Sequence, residues 1–259
     1  CLENSSGTRL EYVRTEQFHS AGRCNVTVTA EIDALAAGTV PVTFAFNGET
    51  RRVDAALTAG KNEVSADFEV ENPKLWYPAG YGEQPLYPLT VTADGMTISK
   101  RIGLRDMQTV SEKDEYGVCL KFRVNGIDVF AKGADWIPMD SRPETYTRAR
   151  YDALLSDAVE ANMNCLRVWG GGLIETECFY DLCDRCGILI WQEFIQSSSG
   201  IDNVPSKIPE FLELLERTVY AAVYGRRNHP SLAIWGGGNE LMSAPNCPAT
   251  YEDENIAMI

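Results

Sequence analysis

The sequence predicts a multidomain β plus α/β protein, in which an immunoglobulin-like β-sandwich is followed by a partial (β/α)8 TIM barrel. Two observations lead to this prediction. Residues 1–110 alternate apolar and polar side chains with a period of two and show no helical pattern. Residues 111–259 instead alternate short apolar strands with amphipathic helices. We therefore expect the sandwich domain over 1–110 and the barrel part over 111–259.

The clearest strands of the first part share the period of two and are separated by turn residues. They read RCNVTVTAEI (23–32), VPVTFAFNG (40–48), NEVSADFEVE (62–71) and YPLTVTADG (87–95). The dipeptides Asn47-Gly48 and Asp94-Gly95 are typical of tight hairpin turns. Short strands at this spacing predict an antiparallel sandwich of immunoglobulin size.

The second part begins with a hairpin predicted at Asn125-Gly126 and a strand that ends near Lys132. Apolar residues at helical spacing predict helices, and apolar runs with glycine exits predict buried parallel strands. The predicted helices are 147–163, 174–187 and 206–228, and the predicted strands are 164–172, 188–194 and 231–235. Gly187 is expected to cap the second helix at its carboxyl end.

Two parallel architectures compete for this pattern. A doubly wound dinucleotide-binding fold needs a G-x-G-x-x-G loop after its first strand, and KGADWIP at that position cannot form one. A barrel fits better, because polar or aromatic residues follow each strand, where barrel enzymes build their active sites. These residues are Asp135 and Trp136, Arg167 and Trp169, Gln192 and Glu193, and Asn239 and Glu240.

The barrel is expected to be incomplete in this chain. An eight-stranded barrel needs about 250 residues, whereas the stretch from Ile127 to Ile259 accommodates four predicted strands. The remainder of the same polypeptide would then be needed as a partner to complete the barrel.

Composition argues against several classes of function. The net charge of −14 disfavours binding to nucleic acid or to an anionic membrane surface, and no apolar run is long enough to span a membrane. His19 and His229 are too few for a histidine-rich metal site or a Ser-His-Asp hydrolase. Cys183 and Cys186 form a C-x-x-C near the end of a predicted helix, where we expect packing rather than redox chemistry.

Four long motifs occur in a fixed order along the chain. They are NPKLWYPAGYGEQPLYPLTV (72–91), FRVNGIDVFAKGADWIPMDS (122–141), NMNCLRVWGGGLIETECFYDLCDRCGILIWQEF (162–194) and RRNHPSLAIWGGGNE (226–240). Together they resemble glycoside hydrolase family 2, and within it most of all the β-mannosidases. The resemblance runs from about Leu10 to Leu241. It implies sandwich domains before a catalytic (β/α)8 barrel, and hydrolysis without a cofactor or a metal.

The resemblance implies that Glu240, at the end of the fourth barrel strand, is the general acid/base. Asn239 would hydrogen-bond the sugar 2-hydroxyl, a contact that strengthens in the oxocarbenium-like transition state. We expect the glycines at 236–238 to leave room for a sugar ring against the strand end. The family's nucleophile lies at the end of a seventh strand, which we do not expect in this chain.

Four further positions are expected to line the substrate site. Arg167 matches an arginine that keeps the nucleophile ionised in the family, and Trp169 would form a platform for the bound mannoside. Asp135 and Trp136, at the end of the first strand, are expected to contact the sugar. Asp135 departs from the family pattern, in which asparagine is more common at this position.

The implied function is that of a retaining exo-β-mannosidase, which releases terminal non-reducing β-D-mannose from an oligosaccharide or a glycoprotein glycan. We expect the isolated chain to be inactive because it lacks the nucleophile. Two alternatives stay open. One is a sister exo-glycosidase, such as a β-glucosaminidase, β-galactosidase or β-glucuronidase, and the other is a non-catalytic carbohydrate-binding or scaffold protein.

Overall fold

The structure is a computed structural model that describes residues 7–197 and 205–241. Its first part is a sandwich of two antiparallel sheets. One sheet has the order β1 (Thr8–Ser20), β2 (Arg23–Ala34) and β5 (Gly60–Glu71). The other has the order β4 (Glu49–Leu57), β3 (Gly38–Phe46), β6 (Tyr87–Ala93) and β7 (Met96–Ile102).

The sandwich core follows from the alternation in its strands. In β5, every second residue between positions 64 and 70 is buried and the residues between them are exposed, because successive side chains point to opposite faces of a strand. The hairpin turns predicted at Asn47-Gly48 and Asp94-Gly95 are confirmed. They join β3 to β4 and β6 to β7, and all four residues have positive φ.

A small antiparallel sheet connects the sandwich to the barrel part. Its order is β10 (Ile127–Val129), β9 (Val118–Val124) and β8 (Met107–Lys113). The predicted hairpin at Asn125-Gly126 joins β9 to β10, again with positive φ at both residues. The domain boundary expected at residues 110 and 111 falls inside β8.

The second part is a four-stranded parallel sheet with helices in its connections. The strands are β11 (Gly133–Trp136), β12 (Cys165–Val168), β13 (Leu189–Glu193) and β14 (Leu232–Gly236), and the helices are α1 (Arg148–Glu160), α2 (Glu177–Cys186) and α3 (Pro209–Arg226). Each strand lies next to its predecessor in the chain. This is the order of part of a (β/α)8 barrel, whereas a doubly wound sheet reverses direction at a switch point.

The two faces of the parallel sheet have different neighbours. The outer face packs on α1 and α2 through Leu166, Val168, Ile190 and Leu232, among others. The inner face, near the amino ends of the strands, packs on β9 through Cys165, Leu189 and Ala233. The inner face at the carboxyl ends is therefore the place left for polar side chains. None of the described helices is both long and apolar enough to cross a membrane.

The ends of α2 are set by local sequence. The Thr176 hydroxyl accepts a hydrogen bond from the Phe179 N–H, as an N-cap residue does. The expected cap at Gly187 is confirmed, since its φ is 74° and its N–H donates to the Cys183 carbonyl at 2.9 Å. Cys183 lies in the core, and burial raises the pKa of its thiol, in keeping with the packing role expected for it.

The segment between α3 and β14 ties the barrel part to the sandwich. Asn228 donates from Nδ2 to the Val13 carbonyl at 2.6 Å and accepts at Oδ1 from the Thr15 N–H at 2.9 Å. Pro230 packs against Gly103 so closely that a Cβ on this glycine would lie 2.6 Å from the proline ring. The start of β14 is thereby fixed by residues of the sandwich.

His229 is buried in the same segment. Its Nδ1 lies 2.7 Å from Oδ2 of Asp184 and its Nε2 lies 3.1 Å from Oε2 of Glu177. Burial lowers the pKa of His229, but the hydrogen bonds and charges of the two carboxylates outweigh it and raise the pKa to about 9. For Glu177 the signs are reversed. Burial raises the pKa of its carboxyl group, but His229, Lys100 and Arg226 outweigh burial and lower the pKa to about 2.

We expect Gly187→Ala to lower the free energy of unfolding by more than about 2 kcal/mol. Its left-handed backbone disfavours a side chain, and a Cβ would lie 2.6 Å from the Ala79 nitrogen. Gly225→Ala is the matched control, because Gly225 is helical with open space around its Cβ position. This control should leave stability unchanged or raise it by up to about 1 kcal/mol. Urea unfolding of the variants measures both changes, and equal losses would contradict the prediction.

We expect the stability difference between wild type and His229→Gln to depend on pH. A pKa raised from 6.5 to about 9 stabilises the folded state fully below pH 6.5, and this contribution is lost as the pH rises through 9. The difference should therefore shrink between pH 6 and pH 10, by up to about 3 kcal/mol.

Urea unfolding at the two pH values tests this, with His19→Gln as the control. Burial lowers the pKa of His19, so the effect of this substitution should not decline above pH 6.5. A His229→Gln difference that is the same at pH 6 and pH 10 would contradict the predicted role of a charged His229.

Candidate active site

Three charged side chains meet on the inner face of the parallel sheet. The register places Asp135 beside Arg167, Arg167 beside Trp191, and Glu193 beside Gly236. Because side chains alternate between faces along a strand, Asp135, Arg167 and Glu193 point to the same side. They lie at the carboxyl ends of the strands, where barrel enzymes carry their active sites.

Arg167 is at the centre of this group. Its Nε and Nη2 donate to Oε1 of Glu193 at 3.1 and 2.7 Å. Its Nη1 donates to Oδ1 of Asp135 at 2.9 Å, and its Nη2 also donates to Oδ1 of Asn239 at 2.7 Å. The Arg167 guanidinium, carried by β12, thus contacts side chains from three other segments, which are β11, β13 and the residues after β14.

Glu193 is the most buried member, with 4% of its surface exposed. Its second oxygen, Oε2, accepts the Gly170 N–H at 2.8 Å. A buried carboxylate is costly unless it is paired and hydrogen-bonded, and here both oxygens have donors. Partial burial lowers the pKa of Arg167, but hydrogen bonds from Arg167 to Asp135 and Glu193 outweigh it, and the pKa is raised overall.

The amide of Asn239 has a defined orientation. A guanidinium has N–H donors and no acceptor, so the atom that faces Arg167 must be the carbonyl oxygen. The Nδ2 group then points away and donates to Oγ of Ser197 at 3.1 Å. The backbone N–H of Asn239 donates to the Gln196 carbonyl at 2.9 Å, which fixes the main chain of this segment as well.

Glu240 follows directly after this fixed asparagine. Its backbone has a φ of 52°, in the left-handed region, and its side chain is exposed. A non-glycine residue in this region is uncommon and is often found at functional sites. Glu240 therefore lies at the end of the sheet, next in the chain to the asparagine that Arg167 holds.

The two predicted tryptophans lie in different surroundings. Trp169 is half-buried where the chain leaves β12, and Gly171 passes so close that a Cβ on it would lie 2.1 Å from the indole. Trp136 packs toward α1 and α2, where its indole N–H donates to Glu175 at 2.9 Å and its ring stacks on Tyr151. The structure does not bring Trp136 together with the inner-face residues, because it points to the helix side of β11.

Two of the glycines expected to leave room for a sugar ring, Gly236 and Gly238, are needed for a different physical reason. A Cβ on Gly236 would lie 2.8 Å from the Trp191 indole nitrogen and 3.0 Å from Cγ of Glu193. A Cβ on Gly238 would lie 2.8 Å from Cβ of Gln196. Protein atoms already occupy the space beside these two glycines, so close packing against Trp191, Glu193 and Gln196, rather than room for a sugar ring, requires them.

Glu193 is among the polar residues that follow the predicted strands, but no specific role is predicted for it, although the structure makes it the main partner of Arg167. The available signal was a charged residue at the end of an otherwise apolar strand, ILIWQEF. Such a residue must find a partner when buried, but the sequence does not say which arginine provides it.

Among the described residues, one other group has the composition of a metal site. Ligand atoms of Asp181, Asp184 and His229 lie within 4.8 Å of one another. However, Asp184 and His229 are hydrogen-bonded to each other, and Arg101 pairs with Asp181 at 2.9 Å. Protein partners therefore satisfy this group without an ion.

Comparison with known families is consistent with this architecture. Residues 8–105 match the model of glycosyl hydrolases family 2, and residues 160–258 match the model of the TIM barrel domain of the same family. The chain belongs to glycoside hydrolase family 2. The family assignment and the sandwich-plus-barrel fold class expected from sequence are both confirmed.

Several relatives of the chain are named as β-mannosidases. It is 34% identical over 235 residues to β-mannosidase B of Emericella nidulans and 37% identical over 237 residues to that of Thermothelomyces thermophilus. Each match covers 88% of this chain and 27% of the relative. The crystal structure of a β-D-mannosidase from Dictyoglomus thermophilum matches with a TM-score of 0.85 and 31% identity, over 92% of this chain and 30% of that one.

We expect Arg167→Met to lower the free energy of unfolding by roughly 3 kcal/mol, because it leaves the buried Glu193 carboxylate unpaired. Adding Glu193→Gln should recover part of that loss, since the unpaired charge is then removed. Arg123→Met is the control, because its ion pair with Asp128 is exposed and should contribute little. Chemical denaturation of the single and double variants measures the coupling, and additive effects of the two substitutions would contradict it.

Proposed function

We propose that this chain forms the acid/base side of a retaining exo-β-mannosidase. The observation that carries the proposal is the contact between Arg167 and Asn239, directly before Glu240 at the carboxyl end of a parallel sheet. Relatives that are 31–37% identical and named as β-mannosidases support the choice of mannose. Because the chain spans only about a third or less of their length, the activity is proposed for the full-length polypeptide.

Glu240 is proposed as the general acid/base. It donates a proton to the glycosidic oxygen as the bond to the anomeric carbon breaks, and it later removes a proton from the attacking water. Its exposed position at the end of the sheet supports this role, since the group must reach both a leaving alcohol and solvent.

Asn239 is proposed to bind the sugar 2-hydroxyl. Its amide oxygen is taken by Arg167, so it meets the sugar through Nδ2, as a donor. Contacts to the 2-hydroxyl strengthen as the ring becomes oxocarbenium-like, which makes this a transition-state interaction. Trp169 and Asp135 are proposed to contact the same sugar, whereas the position of Trp136 gives no support for such a contact.

The nucleophile is proposed to come from outside the described residues. Retention requires a second carboxylate about 5–5.5 Å from the acid/base. Glu193 does not suit this role, because Arg167 and the Gly170 N–H occupy both of its oxygens. Arg167 Nη1 has one acceptor among the described residues, Asp135. Its second hydrogen can therefore reach a nucleophile carboxylate and keep it ionised.

We expect Glu240→Gln in the full-length polypeptide to slow poor leaving groups far more than activated ones. General acid/base assistance contributes about 10²–10⁴ in rate, and a p-nitrophenolate leaves without much protonation. The measurement compares kcat/KM on p-nitrophenyl β-mannoside with that on a β-mannobiose. Glu213→Gln, on an outer helix, is the control. Equal losses on both substrates would remove Glu240 from the acid/base role.

A further inference from the structure

We infer that Glu193 is a positioning residue, which acts through Arg167 and the Asn239 amide on the 2-hydroxyl of the substrate. The inference rests on the proposed function, since it concerns the same sugar contact. Glu193 itself would not touch the sugar, but it would determine the orientation of the Asn239 amide that does.

Glu193 limits where the Arg167 guanidinium can lie. Oε1 accepts from both Nε and Nη2 of Arg167, so the contact holds one edge of the planar group. Its other oxygen is held by the Gly170 N–H, and the carboxylate is almost fully buried. Glu193, at the end of β13, therefore fixes both the position and the orientation of the planar Arg167 guanidinium.

The position of the guanidinium in turn affects Asn239. Nη2 lies 2.7 Å from its Oδ1 while it also contacts Glu193. This N–H holds the amide oxygen toward Arg167, while the Nδ2 group on the other side donates to Oγ of Ser197. Among the residues that the structure describes, the other anionic partner of Arg167 is Asp135, whose side chain is 59% exposed. Without Glu193, Arg167 would be drawn toward that exposed carboxylate, and the amide would keep its contact with Ser197 but lose the one that holds its oxygen.

Glutamine cannot replace Glu193 in this arrangement. One side of the carboxylate faces donors from Arg167 and the other faces the donor of Gly170. A glutamine amide has one accepting oxygen and one donating nitrogen. In either orientation its NH2 group therefore meets another N–H group, so the substitution disturbs Arg167 or the loop that carries Trp169.

The test is a double-perturbation cycle on the full-length polypeptide. Wild type and Glu193→Gln are each assayed on p-nitrophenyl β-mannoside and on its 2-deoxy counterpart. We expect Glu193→Gln to lower kcat about 100-fold on the mannoside with a smaller change in KM. On the 2-deoxy substrate the same substitution should cost less than about 10-fold, because the contact it disturbs is absent. Equal factors on both substrates would overturn the inference.

Glu175→Gln is the matched control. Glu175 is a buried glutamate of the same domain, 2% exposed, and it accepts hydrogen bonds from the side chains of Trp136 and Tyr151 on the helix side of the sheet. It should lower stability while the folded protein keeps the wild-type ratio between the two substrates. A changed ratio in this control would show that general loosening explains the effect, and would also overturn the inference.

A second measurement does not depend on turnover. In the wild type, the side-chain NMR signals of the Asn239 Nδ2 hydrogens and the Arg167 Nε hydrogen should be sharp and protected from exchange. Glu193→Gln should broaden them, and Glu175→Gln should not. Unchanged signals in Glu193→Gln would refute the positioning role even if the enzyme is active. A wild-type polypeptide that hydrolyses no β-mannoside would instead overturn the proposed function, and the inference with it.

Discussion

The carboxyl end of the parallel sheet depends on the ion pair between Arg167 and Glu193. A carboxylate that is 4% exposed would be strongly unfavourable there without its arginine. The same guanidinium also holds Asp135 and Asn239, so one cation fixes acceptors from three other segments. The pair exists because the β12–β13 register places both side chains on the inner face, and a slip of one residue would turn Arg167 toward the helices.

The sandwich fixes the strand that leads to this group. Arg105 donates from Nη2 to the Leu232 carbonyl at 2.5 Å, and the Trp76 indole donates to the Asp184 carbonyl at 2.7 Å. Together with Asn228 and His229, these contacts determine where β14 starts. Since β14 is five residues long, its start also determines where Asn239 lies. The orientation of the candidate site thus depends on the first part of the chain as well as on the sheet.

The sequence predicts the features that depend on neighbouring residues, but it does not predict to which face of the parallel sheet a side chain points. Period-two strands, the three Asn-Gly or Asp-Gly hairpins and the Gly187 cap follow from residues a few positions apart. The inward or outward direction of a side chain in a parallel strand does not, because both faces are apolar. Trp136, which the sequence predicts to contact the sugar, packs on Tyr151 on the helix side of β11. The role of Glu193 could not be predicted either, because its partner Arg167 lies 26 residues away in the chain.

The donor and acceptor types of these groups also constrain any ligand that binds beside them. Arg167 can only donate, so the Asn239 oxygen must accept from it, and Nδ2 must donate outward. A hydroxyl that meets Nδ2 therefore accepts through its oxygen and keeps its own hydrogen to donate elsewhere. In the proposed mechanism, the acceptor for that hydrogen would be the attacking carboxylate, whose charge falls as the new bond to the anomeric carbon forms. In the proposed mechanism Arg167 would therefore act on the site twice, through a direct contact with that carboxylate and through the Asn239 amide that it orients.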